Sequence, residues 1–423
     1  MAKVFLPKGA RDLMPAMMNR RLLVIETVRE VFARYGFEPL ETPAFERIET
    51  LTGKYGDEGE KLMFRILKRG KGGQAGEVDL ALRYDLTVPL ARVMAMNPGV
   101  QLPFKRSQIQ PVWRAERPQK GRLREFYQCD VDTIGTDSPI ADAECIAVVH
   151  DALTALGLTE FTIRLNHRQI LRALAEAIGA GEQETSMLQA IDKLDKIGKD
   201  GVEKELIERG FSNQQVSELW QYLDGKTIPG TSEFEAQLRV ILDIALDLGV
   251  DPDRVKIDRT LARGLDYYTG PVFETVLDGG YSGSISGGGR YDGLIGMFSG
   301  KGDVPAVGVS LGIERIFMLM EEMGLMPTTM TSTQVWATVF SSDTRSSTLE
   351  AAAVLRQAGI RVQVSTREGK LGKQFKEAST RGVPFAMVCG PDEAAAGTVV
   401  LKNLATGEQF SGTAEQVAIE IGN

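Results

Sequence analysis

Lys105-Arg-Ser-Gln-Ile-Gln-Pro-Val-Trp-Arg114 and Arg124-Glu-Phe-Tyr-Gln-Cys-Asp-Val-Asp-Thr-Ile134 are two strand-like runs separated by a short stretch containing proline and glycine. The pattern predicts a hairpin whose loop, residues 116–122, projects cations. From Lys105 to Arg124 there are seven bases (Lys105, Arg106, Arg114, Arg117, Lys120, Arg122 and Arg124) against one acid, Glu116. A run of charge is ordinarily a solvated face. Here Trp113, Phe126 and Tyr127 are interleaved with the bases, and that combination suits a nucleotide, with arginine on phosphate and a ring on the purine face.

Working outward, apolar positions Leu22, Leu23, Ile25, Val28, Val31 and Phe32 recur at helical spacing over 18–35, and Gly36 ends the pattern. Residues 37–45 contain two prolines and read as extended. A strand over 80–87 precedes a helix over 88–94. Past the hairpin come a helix over 137–156 and a strand over 161–165. Composition then shifts to helices rich in Glu, Lys, Gln and Leu, including 184–196, 201–209 and 232–247. Strand signals resume at 255–258, 272–277 and 282–286, followed by a helix over 312–323. The expected organisation is a discontinuous catalytic domain, 1–167 with 250–325, interrupted by a helical insertion, 168–249. A polar, proline-bearing linker, 326–333, leads to 334–423. There, alternating strand and helix patterns and a terminal hairpin predict a small α/β domain with a largely parallel core sheet.

A length of 423 residues implies two or three domains, and 43% hydrophobic with 25% charged residues describes a soluble globular chain. No apolar run approaches the ~20 residues needed to span a bilayer. The first residues carry neither a signal-peptide core nor a transit-like segment, so the cytoplasm is the expected compartment. A net charge of -8 argues against a surface that grips nucleic acid everywhere. Cys129, Cys145 and Cys389 lack CxxC spacing and read as small buried side chains. With only His150 and His167, a Ser/His/Asp triad or a histidine metal site is improbable, and no protein-side metal ligands are assigned. A GxxxxGK[ST] loop and a strict GxGxxG fingerprint are both absent from the sequence.

Leu261-Ala-Arg-Gly-Leu-Asp-Tyr-Tyr-Thr-Gly270 combines a fixed cation, a carboxylate and two phenols, a set suited to a small polar anion. Ser286-Gly-Gly-Gly-Arg-Tyr-Asp-Gly293, taken alone, reads as a turn packed close to another backbone. Together the candidates are electrostatic: arginines 114, 263, 290 and 315, with carboxylates 85, 116, 132, 266 and 314. Such a set catalyses by orienting two anions and spreading charge on a pentavalent phosphorus, without a protein nucleophile.

These segments resemble the class II aminoacyl-tRNA synthetases. The stretch from Trp113 through Arg-Ala-Glu-Arg-Pro-Gln-Lys-Gly-Arg to Asp130 is similar to motif 2, Gly308-Val-Ser-Leu-Gly-Ile-Glu-Arg-Ile to motif 3, and the proline-bearing segment after the first helix to motif 1. Arg263-Gly-Leu-Asp-Tyr-Tyr and the glycine-rich segment resemble two stretches peculiar to histidyl-tRNA synthetases. The likeness extends from Pro7 to the last helix. It implies an antiparallel catalytic sheet with helices, a helical insertion touching the tRNA acceptor arm, a C-terminal α/β anticodon-binding domain, and a homodimer built through motif 1.

Carried over, the resemblance implies an enzyme that activates histidine with ATP, Mg²⁺ accompanying the nucleotide, and transfers it to tRNA(His). Arg114 would hold the α-phosphate and the carboxylate region, Arg263 would lie between carboxylate and α-phosphate, and Arg315 would hold the γ-phosphate. Phe126 would stack on adenine, with Glu116 and Arg122 placing the bent ATP. Asp85, Thr87 and Gln128 would take the α-ammonium group. Asp132 and Tyr268 would bracket the imidazole nitrogens, with Tyr267 and Tyr291 closing the pocket. Many bacterial members carry glutamate where this chain has Asp85 and Asp132, so charge is kept and reach is one methylene shorter. The alternative is a synthetase-like regulatory subunit of ATP phosphoribosyltransferase that binds histidine without charging tRNA. Paralogues of that kind typically lose signature residues and the C-terminal domain, both present here.

Overall fold

Helix α1 (Pro15–Arg34) stops where Gly36 takes φ +74°, a left-handed conformation that glycine adopts without a Cβ penalty. The structure is a computed structural model that describes residues 4–54, 56–119, 121–262, 267–279, 283–300 and 302–422. The chain divides into two compact units, Met1–Arg11 with Ile25–Met326, and Asp12–Val24 with Pro327–Asn423.

The larger unit is organised by an eight-stranded sheet. Its strands are β1 (Glu38–Pro39), β2 (Phe104–Trp113), β3 (Glu125–Ile134), β4 (Phe161–His167), β5 (Val255–Ile257), β6 (Pro271–Leu277), β7 (Ser284–Arg290) and β8 (Ala306–Leu311). They lie in the order β1-β2-β3-β8-β7-β6-β4-β5. The six central strands are antiparallel, and β1 and β5 pair in parallel at the two edges. The hairpin expected from 105–134 is β2 and β3, in register from Phe104 opposite Ile134 to Trp113 opposite Glu125. Arg83 fastens the extended segment over it: Nε donates to the Pro111 carbonyl at 2.9 Å and Nη1 to the Thr42 carbonyl at 2.7 Å and Gln110 Oε1 at 2.9 Å. One buried guanidinium thus satisfies carbonyls that would otherwise be costly to bury.

A second, small antiparallel sheet joins Phe45–Arg47, Val78–Leu82 and Arg65–Leu67, and from it the chain enters helix α2 (Thr87–Met96). Helix α3 (Pro139–Ala155) contributes a run of buried small and aliphatic side chains. Between β4 and β5 lie five helices: Arg168–Ala177, Glu184–Ile191, Leu194–Glu208, Asn213–Leu223 and Ser232–Asp247. Asn213–Leu223 falls within the helix-rich stretch expected over 168–249, and Ser212 and Gln215 form a reciprocal capping box that starts it. Leu194–Glu208 is broken at Gly198, whose φ of 68° lies outside the helical region.

Two differences from expectation bear on the site. The glycine run is strand, not turn: Gly287, Gly288 and Gly289 pair with β8 on one side and β6 on the other. A Cβ on Gly288 would lie 2.2 Å from the Gly308 carbonyl oxygen, so the neighbouring strands demand glycine there. Also, β8 itself, Ala306–Leu311, had no expected counterpart.

In the smaller unit a five-stranded sheet comprises β9 (Val335–Val339), β10 (Val362–Glu368), β11 (Phe385–Val388), β12 (Val399–Asn403) and β13 (Gln409–Gly412), in the order β10-β9-β11-β12-β13. β9 pairs in parallel with β10 and β11, and the β12–β13 hairpin is antiparallel, as the strand–helix alternation predicted. Among the described residues no helix is long and apolar enough to cross a membrane. Cys129, Cys145 and Cys389 are buried and unbridged.

Candidate active site

Because side chains alternate across a strand, Gln128, Asp130 and Asp132 of β3 share one face, and with it Arg106 and Gln108 of β2 and Gly308 and Ser310 of β8. Asp132 lies opposite Arg106 and Gly308, and Asp130 opposite Gln108 and Ser310. The rows continue across β7, where Gly289 faces Gly308 and Gly287 faces Ser310, and reach Glu274 of β6. Over this face lies a cavity of about 350 Å³, lined among others by Asp85, Thr87, Arg114, Phe126, Gln128, Asp130, Asp132, Tyr267, Tyr268, Glu274, Gly287, Tyr291 and Ser310.

The floor is acidic and buried. Asp85, Asp130 and Asp132 are 1%, 3% and 2% exposed, and Arg106 is 0% exposed. Arg106 Nη2 stands 2.8 Å from Asp132 Oδ2 and 3.9 Å from Asp130 Oδ2. The Tyr291 hydroxyl donates to Asp132 Oδ1 at 2.5 Å. Asp85 Oδ1 accepts from the Val88 amide at 3.0 Å, satisfying an otherwise orphaned N–H in the first turn of α2, and Asp85 Oδ2 accepts from the Tyr267 hydroxyl at 3.4 Å. Burial pushes the Asp130 carboxyl up to about 7; Arg106 opposes the shift and the Asp132 charge adds to it. Asp132 is raised by burial too, against the pull of Arg106 and the Tyr291 hydroxyl. Burial and the Asp132 charge hold Tyr291 well above the ordinary phenol value, so it remains a donor.

At the rim the hairpin delivers a cation and a ring. The Arg114 guanidinium carbon lies 5.1 Å from the Phe126 ring centre and 4.4 Å from that of Tyr84, and its Nε donates to the Tyr84 carbonyl at 3.1 Å. Its electrostatic attraction to both rings steadies the guanidinium at the rim. Glu116 and Arg122 pair at 3.1 Å on the loop and are not part of the cavity wall. Arg315, also off the wall, donates to the carbonyl of Ser284, a wall residue, from the first turn of the helix Ile313–Glu322. Gly121 places this loop against Met318 and Arg315.

Nine of the thirteen site residues expected from the sequence line the cavity, Glu116, Arg122 and Arg315 lie off its wall, and Arg263, like Asp266, is outside the described residues. Two other candidates face elsewhere. Arg290 is buried against Asp142 of α3, with Nε to Oδ1 at 3.2 Å, and Glu314 is paired with Arg11. Strand alternation explains Arg290: Gly289 faces the cavity, so its neighbour points to the helix layer. Sequence reasoning missed Arg106, Asp130, Ser310 and the glycine floor. The spacing Gln128-x-Asp130-x-Asp132 was a readable signal for Asp130; the others need the register.

Residues 9–316 match the family model described as histidyl-tRNA synthetase, and residues 334–422 match the anticodon binding domain. A histidine–tRNA ligase of Cytophaga hutchinsonii is 42% identical over 449 aligned residues, covering 99% of both chains. One from Aeropyrum pernix is 42% identical, covering 96% of this chain and 94% of its own. A histidyl-tRNA synthetase crystal structure from a Nostoc species superposes with a TM-score of 0.85 at 32% identity, covering 100% of this chain and 99% of that one. With family models over both units, relatives matched nearly end to end and the antiparallel sheet in common, the chain belongs to the histidyl-tRNA synthetase family.

Proposed function

We propose that the chain is a histidine–tRNA ligase that first forms histidyl-adenylate from histidine and ATP and then transfers the histidyl group to the 3′ end of tRNA(His). The observation that carries this is one cavity with a buried acidic floor and, at its rim, Arg114 beside Phe126. Such a cavity accepts an amino acid's ammonium and polar ring at one end and a nucleotide at the other. In the first step a carboxylate oxygen of histidine bonds to the α-phosphorus, the bond to the bridging oxygen breaks, and pyrophosphate leaves. In the second, a terminal ribose hydroxyl attacks the acyl carbon and AMP leaves.

Arg114 holds the α-phosphate against the substrate carboxylate, and Arg263 joins it there; both are fixed, planar cations suited to oxyanions. Phe126 stacks on adenine, Glu116 and Arg122 place the nucleotide, and Arg315 holds the γ-phosphate. Asp85, Thr87 and Gln128 take the α-ammonium group. Asp132, Tyr268, Tyr267 and Tyr291 form the ring pocket, with Tyr291 orienting Asp132. Mg²⁺ accompanies the phosphates as Mg-ATP, since a hard cation of this size keeps phosphate oxygens and water as ligands. The proposed organisation has 1–167 with 250–325 as catalytic domain, 168–249 as insertion on the acceptor arm, 326–333 as linker and 334–423 on the anticodon. The protein works as a cytoplasmic homodimer paired through the segment after α1.

The test is histidine-dependent exchange of labelled pyrophosphate into ATP, with other amino acids as controls. Exchange with histidine alone is expected. Histidine binding without exchange would instead favour the regulatory-subunit reading. Within the same assay, Gly308→Ala is expected to raise the KM for histidine more than tenfold with little change for ATP. A Cβ there would lie 2.0 Å from Asp132 Oδ1 and 2.8 Å from the Val131 carbonyl oxygen, driving the carboxylate off Arg106. An unchanged histidine KM would remove Asp132 from ring recognition.

A further inference from the structure

The floor of the cavity holds more negative charge than its cation can neutralise. Asp85 and Asp132 each have close partners, Val88 and Tyr267 for the first, Tyr291 and Arg106 for the second. Asp130 has looser ones: Arg106 at 3.9 Å and Gln128 Nε2 at 3.5 Å, with the Ser310 hydroxyl as a further donor. The charged and titratable groups around it are Arg106 from β2, Asp132 on its own strand, Asp85 from the turn before α2, Tyr268 and Tyr291, with Glu274 further along its row. Among the described residues, Arg106 Nε and Nη1 and Gln128 Oε1 have no hydrogen-bond partner. Once a ligand's ammonium is assigned to Asp85 and its carboxylate to Arg114, two carboxylates still share one guanidinium.

We infer that Asp130 is a specificity-determining residue: with Asp132 it makes the pocket take the substrate ring as the imidazolium, one proton being held jointly by the ring and this carboxylate pair. The inference rests on the reading of the cavity as a histidine pocket. Free imidazole titrates near 6.5, and Asp130, buried beside Asp132, near 7. Above about pH 7 both free partners have lost the proton that the complex keeps, so binding takes one up from solvent. Affinity then falls about tenfold per pH unit by linkage. Below about pH 6.5 each free partner carries a proton, and binding releases one. A ring that matches imidazole in shape but resists protonation, such as 1,2,4-triazole, is rejected.

The experiment measures the KM for histidine in pyrophosphate exchange between about pH 7.5 and about pH 8.5, and proton uptake on histidine binding by calorimetry in buffers of different ionisation enthalpy, for the unmodified protein and Asp130→Asn. The unmodified protein is expected to lose about tenfold in affinity across that unit and to take up close to one proton. Asp130→Asn is expected to lose the slope and the uptake, and to discriminate less between histidine and 1,2,4-triazolylalanine. Titration of the α-ammonium group is common to both proteins and cancels in the comparison. A flat profile without proton uptake in the unmodified protein overturns the inference even if the variant does not fold, and so does an unchanged slope in Asp130→Asn. Exchange with histidine but without the slope removes this inference alone. No exchange at any pH removes the functional reading beneath it.

Discussion

Replacing Arg114 by alanine is expected to lower histidine-dependent pyrophosphate exchange by about 10²–10³-fold while the protein still folds, because the residue's contacts serve the cavity more than the core. The guanidinium is half-buried at the end of the hairpin, lies over Tyr84 and Phe126, and makes one hydrogen bond to the Tyr84 carbonyl. Its loss leaves the nucleotide's ring platform in place and removes the charge facing the oxygens whose negative charge grows as the phosphorus becomes pentavalent. The effect therefore falls on kcat more than on either KM. Arg114→Lys is expected to recover little, since an ammonium cannot hold two oxygens in one plane. Exchange within about threefold of the unmodified protein would exclude Arg114 from the chemical step.

The second large effect concerns stability. Arg106→Met keeps the volume of the side chain's stem and removes the guanidinium facing Asp130 and Asp132, leaving two buried carboxylates without their cation. Breaking a buried pair in this way costs about 3–5 kcal/mol. The sign of the pH dependence follows from the direction of the shifts. Both carboxyls already titrate above their unfolded values, and the variant raises them further, so the folded state binds protons that the unfolded state has released. Stability is then fully present below the unfolded carboxyl pKa of about 4 and is lost as pH rises towards the folded values. Thermal unfolding should show a larger deficit against the unmodified protein near pH 8 than near pH 6. An equal melting temperature at both would mean that Arg106 does not hold the pair. Because Arg106 forms the floor beneath the ring pocket, any folded fraction should also bind histidine poorly.

These two arginines show where the sequence was legible and where it was not. Arg114 stands out in the linear chain because it closes a strand, opens a basic loop and is followed by Phe126 at hairpin distance, all local features. Arg106 belongs to the same basic run, and nothing local separates it from its solvent-facing neighbours. Its burial follows from the register that sets it opposite Asp132. Asp130 was half legible, since period-two spacing places it beside Asp132, but its raised pKa depends on depth in the sheet. The glycine run misled in the other direction. Glycine signals turn by its backbone freedom, yet here its missing Cβ admits the Gly308 carbonyl and opens the cavity floor, and both are effects of neighbouring strands.

By itself the sequence determined the hairpin, many of the strands and helices of both units, the helix-rich stretch between β4 and β5, and most of the polar residues that line the cavity. Those follow from periodicity, turn chemistry and the local clustering of charge, which act over a few residues. Only the tertiary structure decided which residues face each other across the sheet, and hence that one guanidinium serves two carboxylates, that Arg290 turns to Asp142 instead of the cavity, and that Gly287, Gly288 and Gly308 line the cavity. Burial and long-range pairing set those outcomes. A carboxylate's charge state and a glycine's necessity are properties of what surrounds them, and strands far apart in the chain supply the surroundings.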